Sequence, residues 1–462
     1  MVDGPFSKHS SFTPLTHSFS HSLPSPPGSI RRLIGRKNIV LSLSNAITRD
    51  SSHPIPTLPP PAQTPITESN HFDKLGVLNS DRFSDRIAVQ YQNVCLESLG
   101  YTLPEEIVTS DEIEQRLAPL YQRLRLPAGR LELITGVRER RFWAPGTLPS
   151  DISIQSCKQA IANSDIPVEK IGALIHGSVC RDHLEPATAC RVHDGVGLRN
   201  DSVIYDTSNA CLGILNGMIQ AANMIELGQI EAALVVGTEG SRQLVETTID
   251  TLNRDQHLTR STIKLAIASL TIGSASCAVL LTHKNISRTG NRIASATAYA
   301  NTKHHKLCHS GRDEAAADGM SPLMTTDSEA LMREGIETGR MTFEKFLAQS
   351  GWERNDIQKS FCHQVGTTHR KLMLESLDIP VEKDFLTVEW LGNTGSAALP
   401  TTLAIGLQDG FVDAGDQVAL LGIGSGINCI MMGVEFASIP QTQSVRKPHF
   451  SGATKESPKT AV

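Results

Sequence analysis

The chain has 462 residues, 43 lysines and arginines against 48 aspartates and glutamates, and a formal net charge of −5. That length exceeds the usual domain of about 100–200 residues, so two domains or one large duplicated fold are expected, with a sizeable core. The mild acidity argues against nucleic acid as a partner, and no window of about 18 uninterrupted apolar residues is present to span a membrane.

Nine cysteines are scattered along the chain without any C-x-x-C pair. Neither a disulfide framework nor a zinc site is suggested, and a reducing, cytoplasmic setting fits.

In chain order, residues 1–90 are dominated by Ser, His and Pro, as in Ile55-Pro-Thr-Leu-Pro-Pro-Pro-Ala. Such a segment cannot bury enough apolar surface to offset its ordering entropy, and it is expected to be a disordered extension. Arg31, Arg32, Arg36, Lys37 and Arg49 also match the composition of a transit peptide. A dispensable extension or a start codon placed too far upstream explains the same residues and is favoured. The polar segment 438–462 is expected to be a flexible tail.

Between Tyr91 and Phe436 one pattern occurs twice. The first copy runs from Ala160 to His176, continues through a helix after Cys211, and ends in Gly228-Gln-Ile-Glu-Ala-Ala-Leu-Val-Val-Gly237. The second runs from Phe346 to His363, through a helix after Asn393, and ends in Gly415-Asp-Gln-Val-Ala-Leu-Leu-Gly422. Each copy reads helix, buried strand, helix, buried strand, and the continuous apolar runs suit central parallel strands covered on both faces. The expected halves are 91–285 and 286–437, with their switch-point loops near a common centre. Cys211, His363 and Asn393 would meet there.

Cys211 lies on a turn between the strand-like Val203-Ile-Tyr-Asp and a helix-like run from Ile214 to Leu227. Two readings stand: a small buried core residue, or a nucleophile whose thiolate is favoured by the helix N-terminus. His363 would emerge at a strand end, and Asn393 in a polar turn opening a helix. An imidazole and a carboxamide aimed at one point can donate to a thioester carbonyl as it becomes an enolate or oxyanion. The loop Gly422-Ile-Gly-Ser425-Gly426 would bring backbone close to an acyl-cysteine.

Asn209-Ala-Cys211-Leu-Gly, His363-Gln, Gly392-Asn393-Thr-Gly-Ser-Ala-Ala-Leu-Pro and Gly422-Ile-Gly-Ser-Gly resemble the Cys, His and Asn motifs of the thiolase superfamily, in its β-ketoacyl-ACP synthase III-like branch. The resemblance spans about 91–437, including the Gly136-Val-Arg-Glu-Arg-Arg141 turn. It implies an α/β, five-layered αβαβα fold of two similar halves, a homodimer, and ping-pong chemistry in which Cys211 is acylated before a second thioester is condensed onto it. CoA thioesters enter as substrates, and no resident cofactor or metal is implied.

Two subtypes follow from the resemblance. Synthase III proper condenses acyl-CoA with malonyl-ACP and needs no carboxylate base. The enzyme of long-chain olefin biosynthesis joins two fatty acyl-CoAs head to head and removes an α-proton with a glutamate lent across the dimer. Glu185 matches that glutamate's position, and Val365, Gly366, Thr367 and Thr368 replace the basic carrier-protein contact of synthase III, although Arg370 and Lys371 follow. The head-to-head subtype is expected, and acyl transfer without C–C bond formation or a silent acyl-binding subunit are the alternatives. Ser425, Arg138 and Arg141 are the candidates for contacting the CoA thioester, and Arg140 could join the other arginines on its phosphates, although all three arginines are equally well read as solvated. The segment Val245–Leu270 either walls an alkyl channel or packs at the dimer interface. His304, His305, Cys308 and His309 lack a second ligand pair and read as a surface or channel-lining loop.

Overall fold

The structure, a computed structural model, describes residues 88–311 and 323–441. The chain opens with β1 (Ala88–Gln90), and the N-terminal half begins with β2 (Val94–Thr102), β3 (Glu106–Thr109), α1 (Ser110–Arg116), α2 (Ala118–Leu124), α3 (Arg130–Thr135) and β4 (Glu139–Phe142). It continues through α4 (Pro149–Ala162), β5 (Ile171–Gly177), α5 (Thr188–Val196), β6 (Val203–Thr207), α6 (Gly213–Glu226), β7 (Ala232–Glu239), α7 (Arg242–Arg254) and β8 (Ala275–His283). The C-terminal half holds β9 (Arg292–Ala300), the hairpin β10 (Cys308–Ser310) and β11 (Met324–Thr326), α8 (Ser328–Ser350), β12 (Lys359–Cys362) and α9 (Thr367–Leu377). Then come α10 (Val388–Leu391), α11 (Ala398–Gln408), β13 (Gln417–Gly424) and β14 (Asn428–Glu435).

The strands of the first half hydrogen-bond in the order β6-β5-β7-β8-β2, and those of the second in the order β12-β13-β14-β9, with β1 added to β9. The two sets meet where Cys95 pairs with Arg292 and the Leu96 N–H donates to the Asn291 carbonyl at 2.7 Å. The duplication is complete in topology: β2, α4, β5, α5, α6, β7 and β8 correspond to β9, α8, β12, α9, α11, β13 and β14. Even β6 has a trace of a counterpart, a parallel bridge between Ser360 and Asp384. The expected parallel pairings occur at β5–β7 and β12–β13. Each sheet is nevertheless mixed, because β7–β8, β13–β14, β8–β2 and β14–β9 are antiparallel.

Side-chain alternation along the strands builds the layers. Ala173, Ile175, Ala233, Val235, Val279, Leu420 and Met432 face an inner core that also takes Ile214, Leu215 and Met218 of α6 and Leu399 and Leu403 of α11. The opposite faces pack outward. Leu174, Leu234 and Leu280 meet Ala160 of α4 and Val192 of α5, while Ala419, Leu421 and Met431 meet Phe343 of α8 and Leu374 of α9. The order is helix, sheet, helix, sheet, helix. Each fully buried Leu, Ile or Met here contributes about 1.5–3 kcal/mol of transfer free energy, so the central helices α6 and α11 are held by burial. α6 has no side-chain cap; its first N–H groups are held by the turn itself, Leu212 donating to the Asn209 carbonyl at 2.9 Å and Gly213 to that of Ala210 at 3.3 Å.

Of the expected extension, residues 1–87 lie outside the described residues, and Ala88–Gln90 already pair with β9. Of the expected tail, 442–462 lie outside the described residues. Ser438 is tied down: its N–H donates to Asn291 Oδ1 at 3.0 Å and its hydroxyl to the Thr289 carbonyl at 2.9 Å. No helix among the described residues is long and apolar enough to cross a membrane.

Candidate active site

Cys211 stands two residues before α6, on a turn whose Ala210 has φ 46°, a left-handed conformation costly for a residue with a Cβ. The turn is pressed onto the end of β5. A Cβ on Gly213 would lie 2.6 Å from the Gly177 carbonyl oxygen, so only glycine permits this approach. The thiol is not the activated thiolate that the helix end led one to expect. Burial pushes it up to about 12, with Glu239 and then Cys308 adding in the same direction, and only its own backbone N–H opposes them. Desolvation outweighs the macrodipole here because α6 begins downstream of the sulfur and acidic groups face it. The Cys211 sulfur therefore carries its proton at neutral pH.

A ring of contacts joins the three candidate catalytic residues. The Gly422–Gly426 loop reaches Cys211 first: a Cβ on Gly424 would stand 3.5 Å from the Cys211 backbone nitrogen. Asn428 Nδ2, just after that loop, donates to Asn209 Oδ1 at 2.9 Å, and Asn209 Nδ2 donates to Asn216 of α6. Ser425 is half-buried in the same loop. From Gly424 the strand β13 leads back to Leu421, whose carbonyl accepts the His363 N–H at 3.0 Å.

His363 follows β12 directly and is 3% exposed. Burial, then His369, lowers its imidazole to about 3, so the ring is neutral at physiological pH. Its Nδ1 has no hydrogen-bond partner among the described residues. The next residue fixes the loop. Gln364 Nε2 donates to the Cys362 carbonyl at 2.8 Å, and its Oε1 accepts the N–H groups of Thr387 and Val388, both at 3.0 Å. That ties the His363 loop to α10, the element ahead of Asn393.

Asn393 is held as a short strand against Ile272. Its N–H donates to the Thr271 carbonyl at 3.0 Å, and its own carbonyl accepts from Gly273 at 2.9 Å. Its Oδ1 accepts the Gly395 N–H at 3.0 Å, which fixes the carboxamide and leaves Nδ2 as the donor. Ser396, in the same turn, donates to Glu239, the acid that acts on Cys211. The ring closes there.

Glu239 was missed by sequence reading. The available signal was a lone acid ending the continuous apolar strand Ala232–Val236. Other candidates fall away from the ring. Glu185 is exposed on the loop between β5 and α5. Arg138 is exposed, but its backbone N–H bonds to the Glu389 carbonyl of α10 at 2.8 Å, which places it beside the Asn393 turn. Arg140 is neither solvated nor open to CoA: it is fully buried and donates to the Val108 carbonyl at 3.3 Å and Ser110 Oγ at 3.0 Å. Arg141 gives Nη1 to the Pro104 carbonyl at 2.8 Å. Arg370 is committed as well: its Nε donates to buried Asp384 at 2.6 Å. His304 Nε2 lies 3.2 Å from Glu334, and Thr326 donates to Cys308 Sγ at 3.4 Å. Among the described residues no group of three His, Cys, Asp or Glu is placed to hold a metal.

The segment Val245–Leu270 forms α7 and a 3-10 stretch, Thr262–Thr271. Leu252, Ile267 and Leu270 line an apolar cleft with Leu117, Leu120 and Leu131. Leu270 adjoins Thr271, the residue bonded to Asn393, so the chain passes directly from the cleft wall to the Asn393 turn.

A duplicated αβαβα architecture with a Cys, His and Asn ring at the seam of its halves is that of a thiolase-like condensing enzyme. The family models for 3-oxoacyl-[acyl-carrier-protein] synthase III and for its C-terminal region match residues 205–302 and 347–436. The chain belongs to this family of acyl-condensing transferases. It is 44% identical over 351 residues to the acyl-CoA:acyl-CoA alkyltransferase of Shewanella oneidensis, an alignment covering 75% of this chain and all of that one. The fold superposes with a TM-score of 0.71 on the OleA crystal structure of Xanthomonas campestris, at 32% identity over 75% of this chain and 98% of that one. A 3-oxoacyl-(acyl carrier protein) synthase III from Xanthomonas oryzae gives a TM-score of 0.70 at 32% identity, covering 75% and 100%.

Proposed function

We propose that this enzyme joins two fatty acyl-CoAs head to head without decarboxylation. The observation that carries the reading is the closed ring of Cys211, His363 and Asn393 beside an apolar cleft. The Cys211 sulfur attacks the first thioester and loses its proton, and CoA departs as a thiol. The Cys211 N–H and the Gly424 loop face the resulting acyl-cysteine oxygen. A second acyl-CoA carbonyl then accepts from neutral His363 and from Asn393 Nδ2, which together hold the enolate as the α-proton leaves. The α-carbon attacks the acyl-cysteine carbonyl, a C–C bond forms, and the Cys211 sulfur leaves and regains a proton. The apolar cleft takes an alkyl chain. Arg138 and Ser425 are assigned to the CoA entry, with Arg141 supporting the turn between them and Pro104.

Glu185 of a second copy is assigned as the base. Three observations support this. Glu185 is exposed and apart from the ring of its own chain. It shares the loop that leaves β5 with exposed Val179 and Leu184, apolar side chains free to meet a second copy. Variants of the Xanthomonas campestris OleA have been solved at a glutamate as many residues ahead of a cysteine as Glu185 is ahead of Cys211. The active species is accordingly a homodimer, working on CoA thioesters in the reducing cytoplasm, where its free cysteines persist.

Incubation with a single long-chain acyl-CoA tests this. The expected result is an acyl adduct on Cys211 and a β-keto product with no malonyl donor and no CO2. Strict dependence on malonyl-ACP would overturn the head-to-head reading, and absence of any Cys211 adduct would overturn the condensing mechanism.

A further inference from the structure

One buried acid acts on the nucleophile without being part of the Cys, His and Asn set. Glu239 closes β7 and is 5% exposed. Its Oε1 accepts the Val179 N–H at 3.1 Å, the Ser396 N–H at 3.2 Å and the Ser396 hydroxyl at 2.5 Å, while Oε2 accepts the Cys180 N–H at 3.3 Å. Its backbone carbonyl is held by Trp143 Nε1 at 2.9 Å. Val179 and Cys180 belong to the loop leaving β5 in the first half, and Ser396 to the Asn393 turn of the second. The fit is close: a Cβ on Gly395 would stand 2.9 Å from Glu239 Cγ. Among the described residues Glu239 has no lysine or arginine in ion-pair contact, so its charge rests on these donors and on the Cys180 side chain. The end of β7 and the Cys211 turn converge on one point: a Cβ on Gly237 would lie 2.5 Å, and one on Gly213 2.6 Å, from the Gly177 carbonyl oxygen.

We propose that Glu239 is a positioning residue with two tasks: it fastens the Asn393 turn to the β5 loop across the seam between the halves, and its charge holds Cys211 as a neutral thiol until a thioester has entered. The proposal rests on Cys211 being the nucleophile. Burial raises the Glu239 carboxyl above the usual range, while the hydrogen bonds from Ser396 and Val179 favour its ionised form. A negative charge beside a thiol disfavours a second one, and a thiol reacts far more slowly than a thiolate with oxidants and stray electrophiles. Attack then waits on a bound substrate that can relieve the proton.

Alkylation by iodoacetamide tests the charge, because only the thiolate reacts. The full chain and its Glu239→Gln variant are alkylated across neutral to alkaline pH, and the Cys211 peptide is quantified by mass spectrometry. The expected result is a midpoint lower by about one pH unit or more in the variant, with a fall in kcat larger than any change in KM. An unchanged midpoint in a folded Glu239→Gln protein would overturn the proposal. Glu239→Asp keeps the charge and loses reach, so its midpoint stays at the parent value while kcat falls; undiminished kcat there would overturn the fastening role and decides the matter if the glutamine variant does not fold. Loss of condensation in the parent protein with the alkylation shift intact counts against the functional reading and not against Glu239.

Discussion

The loops that leave β5 and β12 occupy equivalent places in the two halves, yet they behave in opposite ways. After β12 the chain runs only from His363 to Gly366 before α9 begins, and it is locked there. His363 is buried, Gln364 reaches the start of α10 with two hydrogen bonds and Cys362 with a third, and Arg370 and Asp384 pair beneath. After β5 the chain runs from Ser178 to Ala187. Its start is pinned by Glu239 and its far end by Asp206, which caps α5 through the N–H groups of Thr188 and Ala189 at 2.9 Å. Between those anchors Leu184 and Glu185 face solvent. Duplication thus supplied one scaffold twice. One copy holds a rigid hydrogen-bond donor, and the other presents a carboxylate outward.

The largest test of that contrast uses mixed dimers. Glu185→Gln alone should keep Cys211 acylation but lose about 10²–10⁴ in condensation, the usual contribution of a general base. Combining that chain with a Cys211→Ala chain should restore turnover if each site borrows the other's glutamate. Failure of the mixture to recover would place Glu185 in its own site or outside the chemistry.

The locked loop is tested by Gln364→Ala. The change strands the N–H groups of Thr387 and Val388 and the Cys362 carbonyl in a buried setting, for a loss on the order of 2–4 kcal/mol in chemical denaturation. Turnover should fall with it as His363 and Asn393 lose their common tether. An equivalent truncation of exposed Leu184 should leave the stability of the isolated chain nearly unchanged.

The smallest effect is one of pH. His363 titrates near 6.5 in an unfolded chain and near 3 in the fold. Its neutral form therefore stabilises the fold fully above about 6.5, and the contribution is lost as pH falls toward 3. The cost is about 1 kcal/mol over the first pH unit below 6.5 and approaches about 1.4 kcal/mol per unit below that. Tm measured from neutral to mildly acidic pH should drop more steeply for the parent than for His363→Asn. Glu239 and Asp384, both raised by burial, work in the opposite direction and cancel in that difference. Parallel curves would show that His363 is not buried neutral.

Much of this was legible in the amino-acid sequence. Apolar runs such as Ala232–Val236 and Val418–Leu421, and helical spacing from Ile214 to Leu227, announce buried strands and crossover helices because side-chain direction repeats every 2 or 3.6 residues. The doubled order of those elements, with Cys211, His363 and Asn393 at matched ends, was equally readable. Mixed strand direction was not, since an apolar run looks the same in either orientation.

The residues and their order thus determined the duplicated fold and the three groups of the ring, because periodicity and turn chemistry are local properties of the chain. Only the tertiary structure decided what those groups experience. It set the Cys211 thiol high, placed Glu239 beside it, spent Arg141 and Arg370 on internal partners, and left Glu185 facing outward. Each of these depends on desolvation and on charges brought from distant positions, and such energies come into being only when the two halves close around the site.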